Sequence, residues 1–273
     1  MSISLKGTLV LVGAGKMGGA MLEGWLATGA DAEKLVVIDP FASVGMKALL
    51  AKHNVSLNPA VAGIANAEVV LVAVKPQMMD EVLPTIVSLG ASKPLILSVA
   101  AGSTIATFER FFGKHAAVIR TIPNTPAAIG RGITAMCANS NVSAKQLQLA
   151  TDLLKAIGEV VTVDREELID CVTAVSGSGP AYVFYMTECL ARAAEKIGIP
   201  PALAMQLARA TVAGSGELMR ATGTEAATLR QNVTSPNGTT YAALQVLMAD
   251  DGMGPLFERA VKAAAVRSKE LAG

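Results

Sequence analysis

Two stretches of this 273-residue chain contain residues whose type and spacing predict chemistry, and the first is GAGKMG. It has Gly13, Gly15 and Gly18 in G-x-G-x-x-G spacing, between an apolar run and a helical pattern. Such a loop lets the backbone approach a pyrophosphate, while the helix start at Lys16 and Met17 offers free N–H groups and a positive dipole end. The pattern therefore predicts a dinucleotide site; the alternative is a glycine turn that binds nothing.

An acidic residue follows the glycine loop at the spacing expected for ribose recognition. Asp39 ends the second apolar run, 21 residues after Gly18. A carboxylate at this position can accept hydrogen bonds from the ribose 2′- and 3′-hydroxyls, and it would repel a 2′-phosphate. We therefore predict that NADH is used at least as well as NADPH. The alternative is that Asp39 is only a turn residue before Pro40.

The second stretch is SPNGTTYAAL, which has four hydroxyl residues, counting the tyrosine, but no histidine, lysine or carboxylate. It combines a turn with the start of a helix predicted over 241–248. The backbone N–H groups of Gly238, Thr239 and Thr240 are predicted to point outward, where they could hold a carboxylate. A threonine hydroxyl there can also face a ring nitrogen. The alternative is a threonine N-cap that stabilises the helix by about 1 kcal/mol and does nothing else.

The scarcity of general bases limits the chemistry. Histidines occur only at 53 and 115, outside any motif. Alcohol dehydrogenation moves a proton together with the hydride and usually needs His, Lys or Tyr at the carbonyl. In β-hydroxyacid dehydrogenases a lysine serves this purpose, and Val183 stands near the matching place here. A cyclic imine is basic enough to be protonated near neutral pH, so its reduction depends mainly on orientation. The sequence therefore favours a C=N bond over a carbonyl.

Alternating strands and helices must position the glycine loop. Continuous apolar runs predict strands covered on both faces, as in a parallel, doubly wound sheet of the Rossmann type. GITAMCA and EVVTVD are predicted to extend this sheet at its edge. The strands predicted for the main sheet are 8–12, 35–39, 68–74, 94–100 and 116–122.

Small residues follow two of the predicted strands, in AVKPQ and SVAAG. Ligands bind at the carboxyl ends of strands in open α/β sheets, so these segments could lie against a nicotinamide ring. Alternatively, Pro76 and Gly102 only end the strands. Lys75 directly precedes a proline, which favours a structural or backbone-contact role over a catalytic one. The residues predicted to bind the cofactor here are Ala73, Val74, Lys75, Pro76, Ala100 and Ala101.

The strand patterns end at Asp164, and helical periodicity continues from there. We predict a dinucleotide-binding domain over 1–164 and a helical domain for substrate binding and dimerisation over 165–273. The helices predicted over 181–197 and 201–221 are apolar over a wide stripe, which indicates a subunit interface. The last helix is predicted to bury Leu256 and Phe257.

Composition narrows the class of protein. Hydrophobic residues make up 52% and charged residues 16%. The formal net charge is +1 and aromatics are few, so we do not expect nucleic acid as a partner. No apolar run reaches the roughly 20 residues that span a bilayer, and we predict a cytoplasmic protein without a membrane segment. Three cysteines without C-x-x-C spacing predict reduced, buried thiols, with neither a disulfide framework nor a metal site.

Six motifs in order resemble pyrroline-5-carboxylate reductases: GAGKMG, AVKPQ, SVAAG, TIPNTPA, AVSGSGPAY and NVTSPNGTTYAAL. The last two are specific to that family. The resemblance implies reduction of 1-pyrroline-5-carboxylate to L-proline with NADPH or NADH, the last step of proline biosynthesis. It also implies a homodimer of interlocked helical domains, so that one pocket draws on two subunits. Whether dimers assemble further, into a homodecamer, stays open.

The resemblance also assigns roles to single residues. It implies that Thr240 is the catalytic residue, whose hydroxyl hydrogen-bonds the imine nitrogen. The backbone of Gly238, Thr239 and Thr240 would hold the substrate carboxylate, and Ser176 and Val233 would border the ring. The residues expected to flank the nicotinamide are Asn124, Thr125 and Pro126.

The chain departs from the family pattern at three places. Glu225-Ala226 stands where many members have His-Pro, and Asn237 replaces the first glycine of Pro-Gly-Gly. Asp39 stands where members often have Ser, Asn or Arg beside the cofactor phosphate. Members also often have an asparagine after the third strand; this chain has none at the matching place, although Asn58 is close to it. These last differences leave the choice between NADPH and NADH open. A β-hydroxyacid-type dehydrogenase and a non-catalytic NAD(P)-binding scaffold remain the alternatives.

Overall fold

A computed structural model describes residues 3–272 of the chain. Its first part is an eight-stranded sheet, and the α/β class predicted from the alternating patterns is confirmed. Seven of the eight strands follow the predicted runs to within two residues at either end, and the two-residue strand β3 was not predicted. The strands are β1 Thr8–Val12, β2 Leu35–Ile38, β3 Ser56–Leu57, β4 Ala67–Val72, β5 Leu95–Ser98, β6 Ala117–Ile122, β7 Gly132–Ala138 and β8 Gly158–Thr162.

The strand order is β3-β2-β1-β4-β5-β6-β7-β8, and every pair is parallel except β6 with β7. The order runs outward in both directions from the pair β1 and β4. This is the topological switch point of a doubly wound sheet, where ligands bind beyond the carboxyl ends of the strands. GITAMCA forms β7 and EVVTVD contributes β8, so both extend the sheet beyond β6 as predicted, and β8 is the edge strand.

The core lies on both faces of the sheet because strand side chains alternate between them. Leu9 and Leu71 face one cluster with Trp25 of helix α1 (Lys16–Ala27), whose indole nitrogen donates to the Leu153 carbonyl at 2.8 Å. Val10, Val70 and Ile96 face the other cluster, which includes Phe108. Fully burying a side chain of this size stabilises by about 1.5–3 kcal/mol, so the central strands hold a rigid scaffold beneath the glycine loop.

Helices cover the sheet and then make up the remainder of the chain. The helix α10 begins two residues before the predicted start at 241, at Thr239. The helices after α1 are α2 Val44–His53, α3 Met79–Ile86, α4 Ile105–Phe112, α5 Ala144–Lys155, α6 Glu167–Val172, α7 Gly179–Lys196, α8 Pro201–Thr222, α9 Ala226–Asn232, α10 Thr239–Leu247 and α11 Met253–Ala272.

The chain divides into two compact units. One holds the chain through Gly177 together with the segment from Ala265 onward, and the other is Ser178–Ala264. The division comes later than the predicted boundary at Asp164 because α6 packs on the sheet, where Ile169 belongs to the core.

A buried ion cluster ties α6 and the end of α11 to the first unit. Arg120 of β6 is 3% exposed and contacts Glu166 at 3.1 Å and Asp170 at 3.2 Å. The Ser268 hydroxyl donates to Asp170 at 2.9 Å, and the Ile105 N–H donates to Glu166 at 2.8 Å. Each charge therefore has a partner, which offsets the desolvation that a buried charge costs.

In the second unit, apolar side chains remain on the surface of the single chain. The rings of Tyr182 and Phe257 meet edge to face at 6.4 Å between centroids. The prediction that Leu256 and Phe257 are buried is wrong for the chain alone, where they are 55% and 39% exposed. Exposed apolar residues on α7 and α8 include Val183, Phe184, Tyr185, Met186, Leu190, Leu203, Met205, Leu207, Leu218 and Met219.

The cysteines divide by environment. Cys137 in β7 is buried, and this burial raises the pKa of its thiol, which stays protonated near neutral pH. The prediction of buried thiols is wrong for Cys171 and Cys189, which are exposed. Within residues 3–272 no group of three or more His, Cys, Asp or Glu side chains could hold a metal ion. No helix in the same range is long and apolar enough to cross a membrane.

Candidate active site

The glycine loop joins β1 to α1 at the switch point. Gly13 has φ +90°, and its N–H donates to the Ile38 carbonyl at 2.8 Å. A Cβ at Gly18 would collide with the carbonyl oxygen of Gly13 and lie 3.2 Å from the Ala73 side chain. Both positions therefore require glycine for the tight turn and for the close approach of the helix to the strands.

The start of α1 is open toward the space in front of the loop. Gly15 is the N-cap with no side-chain cap, and an added Cβ there would meet no atom within 4 Å. The first N–H that bonds within the helix is that of Gly19, to the Gly15 carbonyl at 2.7 Å. The N–H groups of Lys16, Met17 and Gly18 precede it and have no carbonyl within the helix. This arrangement suits a pyrophosphate.

Asp39 braces the glycine loop from the neighbouring strand. Its carboxylate accepts from the Ala14 N–H and from the Phe41 N–H, both at 2.8 Å. Asn58 fixes its backbone by accepting from the Asp39 N–H at 2.7 Å and donating to its carbonyl at 3.0 Å. Asp39 is thus a turn residue and a loop contact together. A carboxylate has about four acceptor sites, so two remain for ribose hydroxyls.

The segment after β4 begins in contact with the glycine loop and ends in solvent. The Ala73 N–H donates to the Val12 carbonyl at 2.8 Å, and Ala73 and Val74 both lie next to Gly13. Lys75 and Pro76 are exposed and begin the 3₁₀ turn Pro76–Met78.

After β5 the chain passes from a buried to an exposed position. Ala100 is 5% exposed, whereas Ala101 is open to solvent. Gly102 has φ +78°, and a Cβ there would lie 3.0 Å from the carbonyl oxygen of Leu271. The end of α11 therefore packs against this turn.

Asn124 follows β6 and uses its side chain within the protein. Its Oδ1 accepts from the Ile133 N–H at 2.9 Å, and its Nδ2 donates to the Ser176 carbonyl at 3.1 Å. Thr125, exposed, and Pro126, half-buried, begin the next 3₁₀ turn.

Ser176 lies in a single π-helical turn, Thr173–Gly177, that follows α6. Its hydroxyl donates to the Val172 carbonyl at 3.2 Å. π-helical turns are uncommon and often mark functional sites. The pattern of apolar residues did not predict this turn, because an inserted residue shifts the helical register without any distinctive side chain.

The turn before α10 has type II geometry. The Gly238 N–H donates to the Ser235 carbonyl at 3.0 Å, with Pro236 and Asn237 between them, and Asn237 has φ +56°, a left-handed conformation that asparagine tolerates. Gly238 is the N-cap of α10 and no side chain caps the helix, so the alternative of a threonine N-cap is wrong. Sequence reasoning missed this because both threonines are common N-cap residues.

The helix start leaves a short row of donors. The first N–H to bond within α10 is that of Ala242, to Gly238 at 3.1 Å, so those of Thr239, Thr240 and Tyr241 are free of the helix. Because the Gly238 N–H is used in the turn, the donors lie one residue further along than predicted. Thr240 is half-buried, and its hydroxyl makes no hydrogen bond to any residue in the described range.

The predicted site residues fall into two groups. The first unit contains the glycine loop, Asp39 and the segments after β4, β5 and β6. Ser176 belongs to the same unit, and its carbonyl accepts from the Asn124 side chain after β6. Val233, Gly238, Thr239 and Thr240 belong to the second unit. Val233 ends α9 and is 65% exposed.

Two family models match successive segments of the chain. Residues 166–271 match the family model described as pyrroline-5-carboxylate reductase dimerisation, and residues 8–102 match the model described as NADP oxidoreductase, coenzyme F420-dependent. The dimerisation model thus begins next to the predicted boundary at Asp164.

Relatives named pyrroline-5-carboxylate reductase include those of Pseudomonas aeruginosa, 38% identical over 97% of this chain and 96% of that protein, and of Synechocystis, 40% identical over 96% and 97%. A solved pyrroline-5-carboxylate reductase of Coxiella burnetii superposes with a TM-score of 0.91 at 34% identity, covering 98% of this chain and 100% of that one. The Plasmodium falciparum enzyme, solved with NADP bound, gives 0.81 at 27% identity, with 98% and 99% covered. The resemblance seen in the motifs is confirmed, and the chain belongs to the pyrroline-5-carboxylate reductase family.

Proposed function

We propose that this chain reduces the C=N bond of 1-pyrroline-5-carboxylate to give L-proline, with NADH or NADPH as hydride donor. The observation that carries the proposal is the start of α10. Three backbone N–H groups and the Thr240 hydroxyl are available there, while its first turn, Thr239–Ala242, contains no histidine, lysine or carboxylate. A cyclic imine acid needs an anion site and one hydrogen-bonding group at nitrogen, which is what this helix start offers.

The residues of the second unit bind and orient the substrate. The N–H groups of Thr239, Thr240 and Tyr241 hold the carboxylate at the positive end of the helix dipole. Gly238 adds no side chain at the approach to these donors. The Thr240 hydroxyl hydrogen-bonds the ring nitrogen. In the iminium form its oxygen accepts from the N–H and stabilises the positive charge. The family resemblance further implies that Val233 and, from the first unit, Ser176 would border the ring.

The residues of the first unit fit a dinucleotide. The open space at Gly15 and the N–H groups of Lys16, Met17 and Gly18 would hold the pyrophosphate, and Asp39 the adenosine ribose. The turns after β4 and β5 would border the nicotinamide, through Ala73, Val74, Lys75, Pro76, Ala100 and Ala101. When bound, the reduced nicotinamide supplies the hydride. We infer that NADH serves at least as well as NADPH, because the Asp39 carboxylate repels a 2′-phosphate.

The helical region supports a homodimer, and we infer separately that the protein acts in the cytoplasm. The exposed apolar residues of α7 and α8 would be covered by a second copy, which removes apolar area from water at about 25 cal/mol per Å². Light scattering is expected to give a mass of at least twice the 28.0 kDa of one chain, and it distinguishes a dimer from a decamer. A stable, active monomer would overturn this part of the proposal.

The test is turnover of 1-pyrroline-5-carboxylate with NADH and then NADPH, followed by loss of the reduced-nicotinamide absorbance and by appearance of proline. We expect turnover with both, and a ratio of kcat/KM values that favours NADH or is near one. Cofactor binding without turnover on either would support a non-catalytic scaffold. A β-hydroxyacid-type dehydrogenase is disfavoured, because Val183 offers no proton and the relatives reported above are pyrroline-5-carboxylate reductases.

A further inference from the structure

The carbonyl of Ser176 lacks the backbone N–H donor that a helical carbonyl normally has, and the sequence explains why. In a helix this carbonyl would accept from the residue four positions on, which is Pro180 and has no N–H. The next N–H along, that of Ala181, donates to Ser178 at 3.0 Å. The carbonyl is instead met by the Asn124 side chain, whose Nδ2 donates to it at 3.1 Å.

The other end of the Asn124 amide is bound to the sheet. Its Oδ1 accepts from the Ile133 N–H at 2.9 Å, near the start of β7. The amide is oriented with its oxygen toward an N–H and its nitrogen toward a carbonyl. Turning it over would bring like groups together at both ends, so this orientation alone satisfies both partners. Asn124 therefore links the π-helical turn to a strand whose neighbours are fixed by ladder hydrogen bonds.

We propose that Asn124 is a positioning residue, which holds the turn Thr173–Gly177 in place and through it sets Ser176 against the substrate. The proposal rests on the proposed function to the extent that Ser176 borders the imine acid. It differs from the expectation that Asn124 flanks the nicotinamide, because both ends of its amide are already used within the protein. No other common side chain of this length supplies one donor and one acceptor in a plane.

The proposal predicts that a change at Asn124 alters the KM for the imine acid but not the KM for NADH. Asn124→Asp keeps the size of the side chain and an oxygen for Ile133, but it replaces the donor to Ser176 with a second oxygen. We expect the KM for 1-pyrroline-5-carboxylate to rise about tenfold while the KM for NADH changes less than about twofold, because one hydrogen bond to the turn is lost. A rise in the KM for NADH alone would overturn the proposal and assign Asn124 to the cofactor.

A matched control is available in the same sheet. Asn139 at the end of β7 also links strands through its amide, accepting from Val118 at 3.2 Å and donating to the Ala116 carbonyl at 2.9 Å. Both asparagines are half-buried. Asn124→Ala and Asn139→Ala are expected to lower stability alike, yet only Asn124→Ala is expected to raise the KM for the imine acid. An equal change of this KM in both variants would overturn the proposal.

Hydrogen exchange tests the link without any substrate. The amides over 173–177 are expected to exchange about tenfold faster in Asn124→Asp than in the unaltered chain, and at the unaltered rate in Asn139→Ala. Unchanged exchange in Asn124→Asp would overturn the proposal even if activity fell. This readout is also independent of the reaction, because it would still report on the turn if the chain reduced no imine.

Discussion

The starts of α1 and α10 have the same type of N-terminus in different surroundings. Each helix follows a glycine N-cap, has no side-chain cap and leaves its first N–H groups without helical partners. The start of α1 lies between the ends of β1 and β4, where neighbouring backbone leaves no room for a Cβ at Gly18. The start of α10 follows a four-residue turn that is mostly exposed, and a Cβ at Gly238 would lie 3.2 Å from the nearest atom, the Ser235 oxygen.

The difference indicates how each proposed anion site keeps its shape. The α1 site is fixed by the sheet, through the Gly13–Ile38 bond and the Asp39 carboxylate, so its geometry is part of the stability of the fold. The α10 site is fixed by one local turn, whose shape depends on Pro236 and on the positive φ of Asn237. Changes at the first are therefore expected to affect folding, and changes at the second to affect chemistry.

The largest effect is expected from Gly18→Ala. The new Cβ would collide with the carbonyl oxygen of Gly13, and backbone on both sides limits relaxation. We expect a loss of about 3 kcal/mol, or a Tm lower by roughly 10 °C, measured by thermal unfolding. Gly15→Ala is the control, since the site is open: its Tm should stay unchanged while the KM for NADH rises about tenfold. A similar Tm for both variants would contradict the comparison.

Thr240→Ala should affect the reaction and leave the fold intact. Its hydroxyl has no partner in the described range and caps nothing, so unfolding should change by less than about 0.5 kcal/mol. Removing one preorganised hydrogen-bonding group at an atom whose charge changes in the reaction lowers kcat by about 100-fold. Thr240→Ser should restore most of the rate, and Thr239→Ala is the neighbouring control. A fall in Tm that parallels the fall in kcat would make Thr240 a structural residue.

Asp39→Asn sharpens the comparison by removing a charge from the α1 site at constant size. Because a carboxylate repels a 2′-phosphate, we expect kcat/KM for NADPH to rise at least about tenfold relative to that for NADH. Asn58→Ala is the control, because it removes the bonds to the Asp39 backbone and leaves the charge. If both variants change the cofactor ratio equally, the preference depends on the loop shape and the charge has no part in it.

The smallest effect is expected from Gly238→Ala, the counterpart of Gly18→Ala at the other helix start. Its φ of −80° suits any residue, and alanine is a poorer N-cap than glycine. We expect a loss of about 0.5–1 kcal/mol and a Tm lower by roughly 2 °C. A loss as large as that of Gly18→Ala would show that the α10 turn is as constrained as the glycine loop.

Much of the first unit followed from the sequence. Long apolar runs and a spaced glycine motif leave few arrangements, so the strands, the extension of the sheet by β7 and β8 and the tight turn at Gly13 could be predicted. The short strand β3 could not, since two residues form no pattern. The start of α10 was misplaced because Gly238 and both threonines are all suitable N-caps, and only the backbone angles distinguish them.

By itself the sequence determined the local periodicities, the glycine-led start of α1 and, through six ordered motifs, the family. These properties depend on residues close together in the chain, where spacing fixes geometry. Only the tertiary structure decided that Asn124 binds Ser176, that Asp39 supports the glycine loop and that Ser268 meets the buried pair of Arg120 and Asp170. Such contacts join residues 25 to 98 positions apart, and their partners are selected by packing of the sheet, which no local pattern encodes.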